Sequence, residues 1–245
     1  MQQDNKQSTP RLASFPWYDN SKTMVLWDDF WAVIRQELDS RFIQDLPVAL
    51  DRHTDPVNQW RDPHLLFSQC CGLDLHYRDT DRIVPVARPV LDDLDCEPGD
   101  YYSYVIARSL VRKPGRVVVN SRRSRSGYSS LMEWLGTRGW IPESTVLSGS
   151  HRKIIHYLRK GIADLAAIDA YSACFLDMSE LEIIGTTRPT AAPPFVTRSN
   201  IDIPLEFLTE ILQEAAQVNG APLGISEVIS TRREDYSNLT ADLKN

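Results

Sequence analysis

The chain has 245 residues, 42% of them hydrophobic and 24% charged, with a formal net charge of −6. That suits one large or two smaller globular domains with a substantial core, and the acidic balance offers no footprint for non-specific nucleic-acid binding. No apolar run reaches the roughly 18 residues of a membrane span, and the polar start MQQDNKQSTPR has no apolar secretory core, so either a cytoplasmic location or a removed leader is expected.

In chain order, RLASFPWY (11–18) reads as a strand. KTMVLWDDFWAVIRQELDSRF (22–42), apolar at 26, 27, 30, 31, 34 and 38, reads as an amphipathic helix. PVAL (47–50) is a second strand, DPVNQWRD a short helix or turn, and HLLFSQCC (64–71) a third strand, broken at Gly72. Asp74, Asp79 and Asp81 read as a solvated acidic loop. RIVPVARPV (82–90) is a strand that Pro85 makes either an edge or a bent one. YYSYVIAR (101–108) and GRVVVN (115–120) are strands, and a helix follows over about 127–138. STVLSGS leads into the helix HRKIIHYLRKGI, DLAAIDA is a short strand ending at Asp169, YSACFLDMS a helix and LEIIGTT a strand. RPTAAPP is extended, and IPLEFLTEILQEAAQVNG (203–220) is an amphipathic helix with a glycine stop. The polar tail STRREDYSNLTADLKN is expected to be loosely held.

Strands alternating with helices indicate an α/β protein. The stretch near 95–185 can close as its own βαβ unit, which predicts two lobes: residues 11–95 plus 186–245, and residues 96–185. A ligand cleft is expected between them.

The densest polar signal is NSRRSRSGYSS (120–130), at a strand-to-helix junction. Serine hydroxyls beside the free amides and positive dipole of a helix start suit an anion. The same serines, Ser124 and Ser126, also suit plain helix capping, and Ser126 can accept from a downstream amide. Arg125, between Ser124 and Ser126, is the arginine best placed to grip an oxyanion. The four cysteines make no C-x-x-C pair, and His151 and His156 are five apart, so no metal site is indicated.

Six segments, ASFPWYD, WRDPHLLFSQCCG, YYSYVIAR, NSRRSRSGYSSL, GSHRKIIHYLRKGIADLAAIDA and RPTAAPPFVT, occur in an order that resembles the phosphate/phosphite/phosphonate-type periplasmic substrate-binding proteins of ABC transporters. The resemblance spans about residues 11–235. It implies a two-lobed type 2 periplasmic-binding fold, a small oxyanion as ligand, an ABC permease as partner, a periplasmic location and no cofactor. The residues it brings forward are Ser124, Arg125, Ser126, Gly127 and Tyr128 at the junction, Ser150 and His151 at the next helix start, and Asp169. Tyr18 of the first loop and Tyr102 (or its neighbour Tyr101) also match the family, and Ser68 and Gln69, at a strand end of the first lobe, read from their position as facing the same cleft. The chain departs from the family pattern at Ser121, Arg122 and Arg123, and it shows no leader or lipid-anchor cysteine. An alternative is an enzyme or ligand sensor on the same fold acting on a small anionic metabolite, with His151 and Asp169 as acid and base.

Overall fold

Short apolar runs form strands and longer periodic runs form helices in the computed structural model, which describes residues 9–108 and 115–244, the side chains of 79 and 240–244 apart. In chain order the elements are β1 (Leu12–Ala13), α1 (Met24–Ser40), α2 (Pro56–Arg61), β2 (Leu65–Gln69), β3 (Ile83–Leu91), β4 (Asp100–Tyr101), β5 (Ser103–Ala107), β6 (Arg116–Val119), α3 (Ser130–Gly136), β7 (Ser144–Leu147), α4 (His151–Arg159), β8 (Leu165–Asp169), α5 (Ala170–Cys174), β9 (Glu182–Thr186), β10 (Thr190–Ala191), β11 (Phe195–Arg198), α6 (Leu205–Asn219) and β12 (Ile225–Ser230). Packing divides them into two units. The first takes the chain up to Cys70, Leu75–Val90 and Pro193–Asp235; the second takes Cys71–Asp74, Leu91–Ala192 and the chain from Tyr236 on.

The first unit is built on a sheet of order β1-β2-β11-β3-β12. Helix α1 buries Trp27, Phe30, Trp31, Ile34 and Leu38, one stripe at helical spacing. Each such side chain contributes roughly 1.5–3 kcal/mol relative to exposure. Phe15 meets Phe30 and Phe195 edge-on. Strand β3 is interior, between β11 and β12, so Pro85 does not mark an edge. It marks a bend: Phe195 pairs with Ala87 and Val196 with Pro85, so Val86 is an extra residue at the bulge. PVAL (47–50) is not a strand, since Leu50 is buried while Val48 lies exposed and Pro47 only accepts a bond from Trp31 Nε1. Strand β12 had no clear pattern in sequence because its buried residues, Ile225 and Val228, are three apart rather than two.

The second unit is built on a sheet of order β7-β6-β8-β5-β9, with β6 parallel to β7 and β8 and β5 antiparallel to β8 and β9. Alternation sends Val117, Val119, Leu165 and Ala167 to one face, where Leu131, Trp134 and Leu135 of α3 cover them. Val118, Ala166 and Ile168 go to the other face, under Ile154, Ile155 and Leu158 of α4. Both faces are covered, which is why these strands read as unbroken apolar runs. Gly185 lets the Trp134 ring lie on β9, where a Cβ would stand 2.9 Å from it.

The tail is docked as far as Leu239. Tyr236 and Leu239 are buried, and Tyr236 Oη donates to the Ala192 carbonyl at 2.8 Å. Two apolar residues three apart in a polar stretch suffice to dock it against Gly72, where a Cβ would meet Leu239 at 2.9 Å.

Candidate ligand-binding site

In the second unit, the parallel strands β6, β7 and β8 end side by side, and each runs into a helix. This carboxyl edge is where α/β sheets collect ligands.

The loop after β6 turns at Ser124, which is the cap. Its Oγ accepts from Gly127 N at 2.9 Å, and its carbonyl accepts from both Tyr128 N and Ser129 N at 3.1 Å. The second of these bonds spans five residues and widens the first turn, Arg125–Ser129, into a π-type turn. Ser126 therefore does not cap the helix. Its carbonyl accepts from Ser103 Oγ at 3.0 Å and Ser130 Oγ at 2.7 Å. Gly127 is required by close approach, because a Cβ there would run into Asn120 Oδ1.

The arginines are engaged within the unit. Arg125 is buried, and its guanidinium meets Glu133 at 2.6 and 3.0 Å. Its role is to hold the helix start rather than to offer a free grip to a ligand. Its backbone amide donates to Cys71 Sγ at 3.4 Å. Arg123 pairs with Asp74 at 3.2 Å, and Asp74 also accepts from Cys71 N. Asp74 is thus a buried structural acid and not a solvated one; Asp81 is exposed, and the Asp79 side chain lies outside the described residues. Arg122 lies over the Tyr128 ring at 5.7 Å, and that ring packs on the α3-side core.

The loop after β7 is fastened to the loop after β6: Ser148 N donates to Val119 O and Gly149 N to Asn120 O. Gly149 takes φ +81°, which glycine adopts without strain. Ser150 then caps α4, its Oγ accepting from Lys153 N at 3.3 Å, and His151 is the first helical residue. Asp169 ends β8, nearly fully buried. Its Oδ1 caps α5 by accepting from Ser172 N at 2.8 Å, and its Oδ2 stands 3.4 Å from His151 Nε2. Burial pushes the His151 pKa below the usual value, with Asp169 opposing.

Of the two candidate tyrosines, Tyr101 is the one beside this group. It is buried, and its pKa is raised well above 10.0, chiefly by burial and then by Cys71 and Asp169, with Arg125 and Ser126 opposing. Tyr102 turns the other way and packs edge-on against Tyr104, at 5.6 Å between rings. Strand alternation carries the reason: Tyr101 and Ser103 share a face, and Ser103 already bonds Ser126. Tyr101 is thus the alternative that the sequence leaves open beside Tyr102, while Cys71 and Glu133 are not among its candidates at all.

Tyr18, Ser68 and Gln69 belong to the first unit. Ser68 is buried in a hydroxyl network, 3.0 Å from Ser14 Oγ and 3.4 Å from Gln59 Oε1. The Tyr18 side chain is buried and its carbonyl accepts from Thr23 Oγ1 at 2.7 Å. Gln69 accepts from Trp60 Nε1 through its main-chain carbonyl, while both polar atoms of its side chain are buried without a protein partner. Among the described residues, no three His, Cys, Asp or Glu side chains gather as a metal site, and no helix is long and apolar enough to cross a membrane.

This architecture is the periplasmic-binding-protein fold. The chain is similar to the binding-protein component of an ABC phosphonate transporter from Pseudomonas aeruginosa, with TM-score 0.72 and 12% identity over 96% of this chain and 86% of that one. It is similar also to PhnD1 from Prochlorococcus marinus, solved with methylphosphonate, with TM-score 0.66 and 16% identity over 96% and 97%. A Xanthomonas citri protein solved bound to ATP gives TM-score 0.71 and 13% identity over 97% and 98%. No protein-family model and no curated protein matches the sequence.

Proposed function

We propose that this protein is a non-catalytic solute-binding protein. Its ligand is a small phosphorus oxyanion (phosphate, phosphite or a phosphonate), held at the carboxyl edge of the second unit's sheet and delivered to an ABC importer. The observation that carries this reading is the convergence there of two serine-capped helix starts, at Ser124 and Ser150, with His151. Helix starts concentrate amide donors and positive potential, and a hydroxyl or imidazole beside them supplies directed hydrogen bonds. Ser126, whose hydroxyl does not cap the helix, and His151 are the proposed direct contacts, with Tyr101 as wall. The phosphonate-binding neighbours support the ligand class.

Calorimetry with phosphate, phosphite and methylphosphonate tests it. Saturable binding is expected, and Ser126→Ala and His151→Ala should each weaken it about 10-fold or more, the worth of a hydrogen bond to a charged group. Binding that neither change weakens would put the site elsewhere.

A second reading, an enzyme or ligand sensor handling a small anionic metabolite, is favoured by the His151–Asp169 pair. Turnover of a phosphorylated small molecule, abolished by His151→Ala, would establish the enzyme form. Saturable binding of such a metabolite without turnover and without competition by phosphorus oxyanions would establish the sensor.

A further inference from the structure

His151 and Asp169 come from different elements and meet at the strand ends. His151 Nε2 stands 3.4 Å from Asp169 Oδ2, and the other carboxylate oxygen is taken by the Ser172 amide. A lone pair on Nε2 would face that carboxylate, so the ring proton belongs on Nε2. Nδ1 is then the bare nitrogen of the neutral ring, and it is buried with no protein partner. The other titratable groups that face Asp169 are Tyr101 on β4 and Tyr171 and Cys174 on α5. Arg125, the cation that acts on Tyr101, is already paired with Glu133. With His151 neutral, the pair carries one net negative charge, at the place where an oxyanion is proposed to bind. A second negative charge in so poorly solvated a spot is strongly unfavourable.

We infer that the His151–Asp169 pair makes oxyanion capture proton-linked: a proton joins His151 when a dianion binds, and Asp169 is the positioning residue that holds the resulting imidazolium. The inference rests on the oxyanion reading above and deepens it. The balance is simple. A dianion draws one proton from solvent to Nδ1, whereas a monoanion brings its own and either keeps it as a donor to Nδ1 or passes it there. Where the proton ends on Nδ1 the net charge of the pair becomes zero; in every case Nδ1 gains a partner. The site should therefore distinguish ligands by the proton they bring, not only by shape.

The test uses the full chain, labelled with nitrogen-15, and methylphosphonate as probe. Ring resonances of the five histidines are recorded at about pH 8.5, where methylphosphonate is a dianion, with His151→Gln assigning the signal of His151. The free protein should show the neutral ring protonated on Nε2, and saturation should convert it to imidazolium. In parallel, calorimetry at about pH 8.5, in two buffers of different ionisation enthalpy, should read uptake of about one proton per ligand. Uptake should be lost in His151→Gln. It should fall in Asp169→Asn, whose ring is no longer held to one tautomer. Saturable binding with His151 still neutral, or uptake unchanged in His151→Gln, overturns the inference while leaving the oxyanion reading intact. Absence of saturable heat from methylphosphonate, phosphate and phosphite overturns the oxyanion reading and the inference with it. A free-state ring protonated on Nδ1 overturns the tautomer assignment by itself.

Discussion

Arg125 and Glu133 form a two-pronged ion pair within one helical segment, Nη1 to Oε1 at 2.6 Å and Nη2 to Oε2 at 3.0 Å. The arginine is buried, while about a third of the glutamate side chain is exposed, at 34%. The pair clamps the wide turn Arg125–Ser129 onto the helix that follows. Glu133→Gln keeps the shape but removes the countercharge, leaving a buried guanidinium poorly matched. Full burial would put the cost at about 3–5 kcal/mol, and the exposed glutamate reduces it to about 1–3 kcal/mol. Urea unfolding of the two proteins measures this. An unchanged midpoint would mean that Arg125 is neutralised elsewhere.

Gly127→Ala probes the same turn from its inner side. The added Cβ has to displace the Asn120 side chain, which lies against this glycine. Overpacking of this kind costs about 1–3 kcal/mol. The turn should shift while the sheet stays folded, so oxyanion affinity should fall more than stability does. Comparing calorimetry with thermal unfolding separates the two. Full affinity in the alanine variant would show that the turn is not part of the site.

Much of this was legible in the sequence, and for specific reasons. Val117–Val119 and Leu165–Ile168 are short apolar runs between turns, too short for helices, so they read as buried strands. The helix starts at Ser150 and Asp169 follow from ordinary capping chemistry. Ser124 and Ser126 could not be separated, because the choice depends on Asn120 lying against Gly127 and on a carbonyl that accepts two amides. Tyr101 and Tyr102 could not be separated either. Alternation says that adjacent strand residues face opposite ways, but not which way is which. Arg125 looked like a ligand grip because its partner, eight residues on, lies beyond the usual three- or four-residue spacing of helix ion pairs.

Gln69 carries a buried carboxamide with neither Oε1 nor Nε2 bonded to protein. Leaving such groups unpaired costs about 1–3 kcal/mol. Gln69→Met keeps the volume and the main-chain bond from Trp60 while removing the unpaired atoms. The ligand-free variant should therefore be more stable than the parent, read as a higher urea midpoint with an unchanged slope. A less stable variant would indicate that bound water satisfies the amide.

Tyr236 anchors the end of the chain to the second unit. Tyr236→Ala empties a fully buried site and should cost about 3–5 kcal/mol. Tyr236→Phe keeps the ring, loses the bond to the Ala192 carbonyl, and should cost about 1–2 kcal/mol. Thermal unfolding of both variants checks the order. An alanine variant within about 0.5 kcal/mol of the parent, the range of ordinary surface changes, would return the tail to a loosely held segment.

The depressed pKa of His151 predicts how stability responds to acid. Burial lowers it from 6.5 in the folded chain, so between that value and the folded one the unfolded chain binds more protons. Stability then rises with pH across the window. The contribution is fully present above about pH 6.5 and is lost as pH falls through the window toward the folded value. The lowered carboxylates Asp51, Asp202 and Asp235 act in a separate, more acidic range, below their ordinary value of 3.8. Urea midpoints at about pH 7.5 and 5.5 should therefore differ in the parent and differ less in His151→Gln. The same drop in both proteins would assign the acid sensitivity to another histidine and remove the burial argument for His151.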